Sequence, residues 1–261
     1  MNTSFAARFA PIVATHHGGR FLEGATLAAL TLHTDGPLSV AWAPFDHIST
    51  TARLVVVGIT PGRQQAENAL AAFRNALARK LPLPEALRHA KVTGAFSGPM
   101  RDNLVAMLDH IGTQRALGVA TCAELFDPGR ELAHLTSALR HPVFVGGGNY
   151  NGTPDLLRTP VLRRMVESQL AEEARALPHA LWLPLGPKPA SALQHLVATG
   201  VLKAERVLGG LPHPSGANGE RIAYFMGRKA RTALSIKTVP APLDAARALL
   251  TAQLATLTTA A

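Results

Sequence analysis

Short apolar runs alternate along the chain with stretches in which apolar residues recur at helical spacing. The run RLVVVG at 53–58 is uninterrupted and ends in glycine, which is typical of a strand buried on both faces. Runs at 142–146, 181–186 and 206–211 predict three more strands, although Pro184 is unusual inside one of them. The amphipathic stretches predict helices at 63–80, 100–111, 161–177, 191–199, 219–234 and 242–257.

This order of elements predicts the fold class. Strands that alternate with helices through short links favour an α/β domain with a mainly parallel sheet. We therefore expect a three-layer α/β/α arrangement around a mainly parallel, four-stranded central sheet. A single domain over 1–261 would have an N-terminal extension or edge elements at 1–50, a core at 53–235 and a C-terminal helix at 240–261. Ligands of such sheets bind beyond the carboxyl ends of the strands, which selects the loops at 59–65, 146–153 and 211–218.

The charge of the chain indicates a partner. There are 26 Lys and Arg against 17 Asp and Glu, which gives a formal net charge of +9. Such an excess favours a polyanion, and DNA or another nucleic acid is the first to consider, although a basic enzyme without such a partner has the same composition. With 47% hydrophobic residues the chain can bury a core, so the class of disordered chains is excluded.

The content of cysteine and the length of the apolar runs exclude further classes. A single cysteine, Cys122, can form neither an internal disulfide nor a cysteine-built zinc or iron–sulfur site. No apolar run reaches the ~18 residues of a membrane span. The N-terminus, with Arg8 as its early cation and Pro11 in its apolar stretch, is a poor signal peptide. We therefore expect a protein of the bacterial cytosol or nucleoid, with no metal and no membrane partner. We also expect a monomer without a cofactor.

Two of the selected loops carry residues suited to chemistry. In GITPGRQQ at 58–65 a strand ends, a Pro-Gly turn follows and a helix begins, so backbone N–H groups can face an anion. In LPHPSGAN at 211–218 two prolines flank His213, and Ser215 or Asn218 could cap a helix that starts at Gly219. Taken alone, the first loop is more typical of an ordinary turn after a strand, and the second could be a turn in which the histidine is incidental.

Taken together, the two loops resemble the active-site motifs of the uracil-DNA glycosylase superfamily. Its first motif is a Gly-x-polar-Pro-Gly turn, here GITPG at 58–62, and its second is His-Pro-Ser, here within HPSGAN at 213–218. The first turn is most similar to that of the mismatch-specific uracil/thymine branch, and the single cysteine separates the chain from the iron–sulfur branches. The resemblance covers about 53–235 and implies a parallel four-stranded sheet that acts on a base swung out of DNA.

The resemblance also implies roles for particular residues. His213 would donate a hydrogen bond to the leaving base, Phe96 in AFSG at 95–98 would stack on it, and Asn149 or Asn151 would read a pyrimidine edge. The rest of the base pocket would be Gly58, Ile59, Pro61, Gly62 and Gln64. DNA contacts would come from Arg63, Pro214, Ser215, Gly216, Ala217, Asn218 and Arg221, with Arg228, Lys229 and Arg231 on the same predicted helix.

Thr60 departs from the family pattern. Relatives usually carry Asp or Asn there to position the attacking water, and a threonine hydroxyl is a poor base. Asp46 is the substitute that we predict, and Gln64, Gln65, Glu67 or Asp102 are alternatives. Two functions follow: a DNA glycosylase for a modified or unusual pyrimidine, or a DNA- or lesion-binding protein that has lost hydrolysis. A small-molecule nucleoside hydrolase would not explain the positive charge.

Overall fold

The computed structural model describes residues 4–94, 99–127 and 130–259, and the chain divides into two compact units. Unit 1 comprises Met1–Ile48, Ile59–Ala95 and Thr136–Ala176. Unit 2 comprises Ser49–Gly58, Phe96–Leu135 and Leu177–Ala261. Each unit is therefore assembled from three separate segments of the chain.

Helices outnumber strands in the described part of the chain. The helices are α1 (Ser4–Ala14), α2 (Gly24–Leu30), α3 (Arg63–Ala78), α4 (Leu83–Gly94), α5 (Pro99–His110), α6 (Thr113–Ala116), α7 (Pro160–Met165), α8 (Ala171–Ala176), α9 (Pro187–Ala198), α10 (Gly219–Phe225) and α11 (Pro240–Thr259). A π-helical turn, Val166–Leu170, joins α7 to α8. The strands are β1 (Thr31–Asp35), β2 (Leu38–Ala41), β3 (Leu54–Gly58), β4 (Ala133–Ser137), β5 (Val143–Val145), β6 (Gly148–Asn149) and β7 (Leu181–Pro184).

Unit 1 contains an antiparallel sheet and a helical core. The strand order is β1-β2-β5-β6, and β2 pairs with β5 so that Ser39 lies opposite Phe144. The core of this unit includes stacked aromatic rings: the centroids of Phe9 and Trp42 are 5.1 Å apart, and Trp42 meets the ring of Phe73 edge-on at 5.7 Å. The N-terminal fifty residues thus supply strands and central core side chains of unit 1.

The parallel sheet has the order β4-β3-β7, and β3, β7 and the first three residues of β4 belong to unit 2. In β3 and β7 the run LVVV lies beside LWLP, with Leu54 opposite Leu181 and Val57 opposite Pro184. Pro184 is tolerated because it is the last residue of a strand at the edge of this sheet. The core of the unit is mainly aliphatic, with Phe225 as a buried aromatic ring, and it buries one face of α5, α10 and α11 against these strands.

The prediction of a four-stranded parallel central sheet is wrong, although the mixed α/β class is confirmed. The run at 142–146 does form a strand, but this strand pairs antiparallel with β2 in the other sheet. The run at 206–211 follows a 3-10 turn (Ala204–Arg206) and makes only a single bridge, between Val207 and Trp182. Gly210, with φ of +99°, has a backbone conformation that a regular strand does not continue through.

Two helix predictions also need correction. The helix predicted at 219–234 ends at Phe225, so Arg228, Lys229 and Arg231 lie beyond it. No helix was predicted over α4, which begins between two prolines, Pro82 and Pro84. Pro84 occupies the first turn of α4, where a backbone N–H would have no partner within the helix. Over the described ranges, no helix is both long and apolar enough to cross a bilayer.

Candidate functional site

In the loop after β3, the hydroxyl of Thr60 is engaged on both sides. Its Oγ1 donates a hydrogen bond to the carbonyl oxygen of His141 at 3.1 Å and accepts one from the backbone N–H of Val143 at 3.2 Å. The side chain therefore ties the loop to the start of β5. A hydroxyl has one hydrogen and two lone pairs, so this arrangement uses its only hydrogen and one of the lone pairs.

Asn149 lies beside the same loop and closes the start of α3. Its Oδ1 accepts from the backbone N–H of Arg63 at 2.9 Å, while Gln65 Oε1 accepts from the N–H of Gly62 at 3.0 Å. A Cβ added at Gly62 would lie 3.7 Å from Asn149 Nδ2, which is an ordinary contact, so the approach of the amide does not require glycine here. The amide nitrogen of Asn149 thus stays at the loop, whereas its oxygen already accepts a hydrogen bond. Asn151 instead accepts from the N–H of Thr153 within an exposed turn.

The guanidinium of Arg63 is held by the protein. It donates to the carbonyl oxygens of Leu22 (2.7 Å) and Gly147 (2.9 Å), and its Cζ lies 4.4 Å from the centroid of the Phe144 ring. These contacts connect the start of α3 to the turn between β5 and β6. Arg63 was predicted to contact DNA, and the structure gives it a role in holding the loop.

Asp46 is a buried side chain, 6% exposed. Its Oδ2 accepts from the indole N–H of Trp42 at 3.1 Å, and its Oδ1 lies 3.9 Å from Nε2 of His141. Burial lowers the pKa of His141, so its ring is neutral at pH 7. Asp46 therefore lies close to His141, whose carbonyl oxygen accepts the hydrogen bond from Thr60. The carboxylate of Asp46 is nevertheless buried in the interior of unit 1. The alternative Glu67 is engaged as well, because its carboxylate accepts from two backbone N–H groups at 2.8 and 3.0 Å.

The interior of unit 1 also holds an ion pair that sequence reasoning missed. Arg140 and Glu173 are 5% and 1% exposed at their side chains, and Nε of the arginine donates to the carboxylate at 2.9 Å. Burial lowers the pKa of the nearby Lys91 to about 8, although the charge of Glu173 opposes this shift. The sequence held one signal of this pair. Glu173 follows Val166 and Leu170 at helical spacing, on the face of the 161–177 stretch that was expected to be apolar.

In unit 2, the loop that carries His213 is fixed by hydrogen bonds. Nδ1 of His213 accepts from the backbone N–H of Ser215 at 3.2 Å, and Asn103 Nδ2 donates to the carbonyl oxygen of Pro214 at 3.0 Å. Burial lowers the pKa of His213. A neutral ring that accepts at Nδ1 carries its hydrogen on Nε2, so this half-buried imidazole is a hydrogen-bond donor at Nε2.

Further along this loop, polar side chains bind one another. Asn218 donates from Nδ2 to Ser215 Oγ at 3.2 Å, and Arg221 donates from Nη1 to Asn218 Oδ1 at 3.3 Å. The prediction that Ser215 or Asn218 caps the next helix holds for the position, because Asn218 is the N-cap residue of α10, but not for a side-chain bond. A 3-10 turn (Gly216–Asn218) precedes α10, and neither residue makes a side-chain cap bond. Gly216 and Ala217 are exposed at the tip of the loop.

The basic residues after α10 are also partly engaged. Lys229 donates to Glu220 at 2.7 Å, and Arg231 lies 3.9 Å from Asp244. Hydrogen bonds from Lys229, Ser235 and Thr238 hold the pKa of Glu220 well below its usual range. These contacts hold the segment after α10 against Glu220 in the first turn of that helix. Arg221, in contrast, is the cation that contacts the His213 loop, through Asn218.

The predicted site residues thus divide between the units. Unit 1 contains Ile59, Thr60, Pro61, Gly62, Arg63, Gln64, Asn149 and Asp46. Unit 2 contains Gly58, His213, Pro214, Ser215, Gly216, Ala217, Asn218 and Arg221. Gln64 is exposed and donates to Asn68. Phe96 lies outside the described residues. Within the described part of the chain, no group of three or more His, Cys, Asp or Glu could hold a metal ion.

Comparison with known proteins finds one extended similarity. Over 216 residues the chain is 34% identical to a protein of Bacillus subtilis (strain 168) described as "Uncharacterized protein YoxB". The aligned part covers 82% of this chain and 84% of that protein, so the similarity extends well beyond one motif. No protein-family model matches the sequence, and no solved structure matches it.

Proposed function

The chain belongs to the same family as YoxB, and for this member we propose the activity of a DNA glycosylase that flips a pyrimidine, plain or modified, out of DNA and hydrolyses its N-glycosidic bond. The description of YoxB names no activity, so the proposal rests on the residues of this chain. It combines the resemblance of GITPG and HPSGAN to the two glycosylase motifs with the state of the histidine in the second motif.

The state of His213 is the observation that carries the proposal. In the hydrolysis, the bond between C1′ of the sugar and the base nitrogen breaks and the base leaves as an anion. Water adds to C1′ and loses a proton to solvent, from which the base anion is later protonated. A neutral imidazole with its hydrogen on Nε2 can stabilise that anion by a hydrogen bond without transferring the proton. The bonds from Ser215 and Asn103 hold the loop in one conformation, which removes the cost of orienting this donor during the reaction.

The charge of the chain supports DNA as the substrate. A net charge of +9 attracts the phosphate backbone, and Arg221 holds its guanidinium against the His213 loop through Asn218. If several phosphates are neutralised, the logarithm of the binding constant falls with the logarithm of salt concentration, with a slope of about −0.9 per phosphate.

A second function, DNA binding without hydrolysis, is supported by a different observation. The hydroxyl of Thr60 is engaged with the backbone, Asp46 is buried, and Glu67 binds two backbone N–H groups. These are three of the groups that could have positioned the attacking water. A protein with the donor of His213 but without such a group would bind a flipped base and release it unchanged.

Base release from a panel of oligonucleotides tests the first function. The panel carries uracil, mismatched thymine, hypoxanthine and bulky modified cytosines, and the variants are His213→Ala and, as a control, the exposed His17→Ala. We expect one of the pyrimidines to be released and hypoxanthine, a purine, to be retained. His213→Ala should lower the single-turnover rate by about 10²–10³, and His17→Ala should leave the rate unchanged. Full activity of His213→Ala would contradict the assignment.

Fluorescence of 2-aminopurine placed next to the target base separates the two functions. Both functions predict a salt-dependent rise in fluorescence as the neighbouring base leaves the stack. Only the glycosylase then releases the base. Binding that neither depends on salt nor changes the fluorescence would exclude both.

A further inference from the structure

A cavity of about 300 Å³ lies in unit 2, at the amino-terminal ends of the parallel strands. Arg53 directly precedes β3, and Leu181 is the first residue of β7. The loops considered above follow the carboxyl ends of strands instead, so this cavity is distinct from them. Its lining is Ala52, Arg53, Ala116, Leu117, His179, Leu181, Arg206 and Leu257.

Two arginines give the cavity a positive charge. Arg53 donates from Nη1 to the carbonyl oxygen of Leu117, and Arg206 donates from Nη1 to the carbonyl oxygen of His179 at 3.1 Å. Each bond anchors one corner of a guanidinium that has five N–H donors in all. Among the described residues that line the cavity, none has a carboxylate. The arginines are therefore held in place without having their charge neutralised by the lining.

The other part of the lining is apolar. Leu117, Leu181 and Leu257 supply aliphatic side chains, and Ala52 and Ala116 leave space between them. A volume of about 300 Å³ is at the lower end of the range for sites that bind small molecules. The ligand that fits this combination has one compact anionic group and a small apolar body.

We propose that this cavity binds a small organic phosphate monoester. Two guanidinium groups match the two negative charges of a phosphate monoester, and their forked donors suit phosphate oxygens. The leucine side chains contact the apolar body of the ligand, and His179 completes the lining, with its carbonyl oxygen bound to Arg206. Binding here is independent of base excision and of DNA.

Titration of the full-length protein with phenyl phosphate tests the proposal. Calorimetry gives the dissociation constant, and the methyl NMR signals of Leu117, Leu181 and Leu257 report the place of binding. We expect phenyl phosphate to bind at least about tenfold more tightly than inorganic phosphate, which lacks the body, and than benzyl alcohol, which lacks the charge. The three leucine methyl signals should shift with phenyl phosphate.

Variants then assign the binding to the arginines. Arg206→Gln and Arg53→Gln each remove one guanidinium, and each should weaken binding of phenyl phosphate by roughly tenfold or more. Arg79→Gln, at an exposed position of unit 1, and His213→Ala should bind as the wild type does. Arg206→Gln remains informative if Arg53→Gln fails to fold, and its circular dichroism is compared with that of the wild type. Equal affinity for phenyl phosphate and inorganic phosphate, unshifted leucine signals, or unchanged binding by a folded Arg206→Gln would overturn the proposal.

Discussion

Replacement of Glu173 by Gln should strongly destabilise unit 1. The carboxylate accepts from Nε of Arg140 at 2.9 Å, and the two side chains are only 1% and 5% exposed. Glu173→Gln preserves the size of the side chain but leaves the charge of the arginine buried with less compensation. Breaking a buried pair from one side costs about 3–5 kcal/mol, because the remaining ion has lost its water and its partner.

The structure offers a matched control on the same arginine. Nη1 of Arg140 donates to Glu172 at 3.1 Å, but the side chain of Glu172 is 36% exposed. Water and salt screen this pair, so Glu172→Gln should cost no more than about 1 kcal/mol. The chemical change and the arginine are the same in both variants, and burial of the carboxylate is what differs.

Urea unfolding followed by tryptophan fluorescence measures the effect. Trp42 lies in the core of unit 1 and Trp182 in a strand of unit 2, so a Trp182→Phe background makes the signal report on unit 1. With a slope of about 2 kcal/mol/M, Glu173→Gln should lower the midpoint by about 2 M and Glu172→Gln by less than about 0.5 M. Similar midpoints for the two variants would refute the argument that burial sets the cost.

Three more predictions concern single positions. Thr60→Val removes both hydrogen bonds of the hydroxyl and should lower the free energy of unfolding by about 1–3 kcal/mol. Thr60→Asn can still donate and accept, so it should lower this free energy by less. Equal losses in the two variants would show that these hydrogen bonds do not set the cost. Gly210→Ala should lower the thermal midpoint, because φ at this position is +99° and the new Cβ would lie 2.7 Å from Cβ of Ala246. Gly209→Ala is the control, since its new Cβ would meet nothing within 4 Å. Equal thermal midpoints of the two variants would contradict this prediction. Burial lowers the pKa of Lys91 from 10.5 to about 8, so between these values the unfolded chain binds the extra proton. The stability of the wild type relative to Lys91→Met should therefore rise with pH across this window, by up to about 3 kcal/mol, and a constant difference in urea unfolding would refute it.

Local patterns in the sequence identified several elements correctly. The run at 53–58 forms β3 and the stretch at 63–80 forms α3, since each signal depends on the order of apolar residues within one segment. The same applies to α9 and α11. His213 was selected as a candidate from its local context, between two prolines and before Ser215, and its hydrogen bond to Ser215 spans only two residues. Its role in a reaction stays a prediction.

Contacts between distant residues were decided by the tertiary structure alone. The strand at 142–146 was correctly located, but its antiparallel partner β2 lies about a hundred residues earlier, and an apolar run contains no information about which strand it joins. Thr60 could be recognised as a departure from a motif, yet its partner Val143 lies 83 residues away. The burial of Asp46 and Glu173 and the cavity between Arg53 and Arg206 depend on the same kind of packing. The sequence by itself therefore determined the local elements and the loop around His213. What each polar side chain can do was decided by its burial and its long-range hydrogen bonds. Burial and long-range hydrogen bonds arise only when separate segments of the chain pack together.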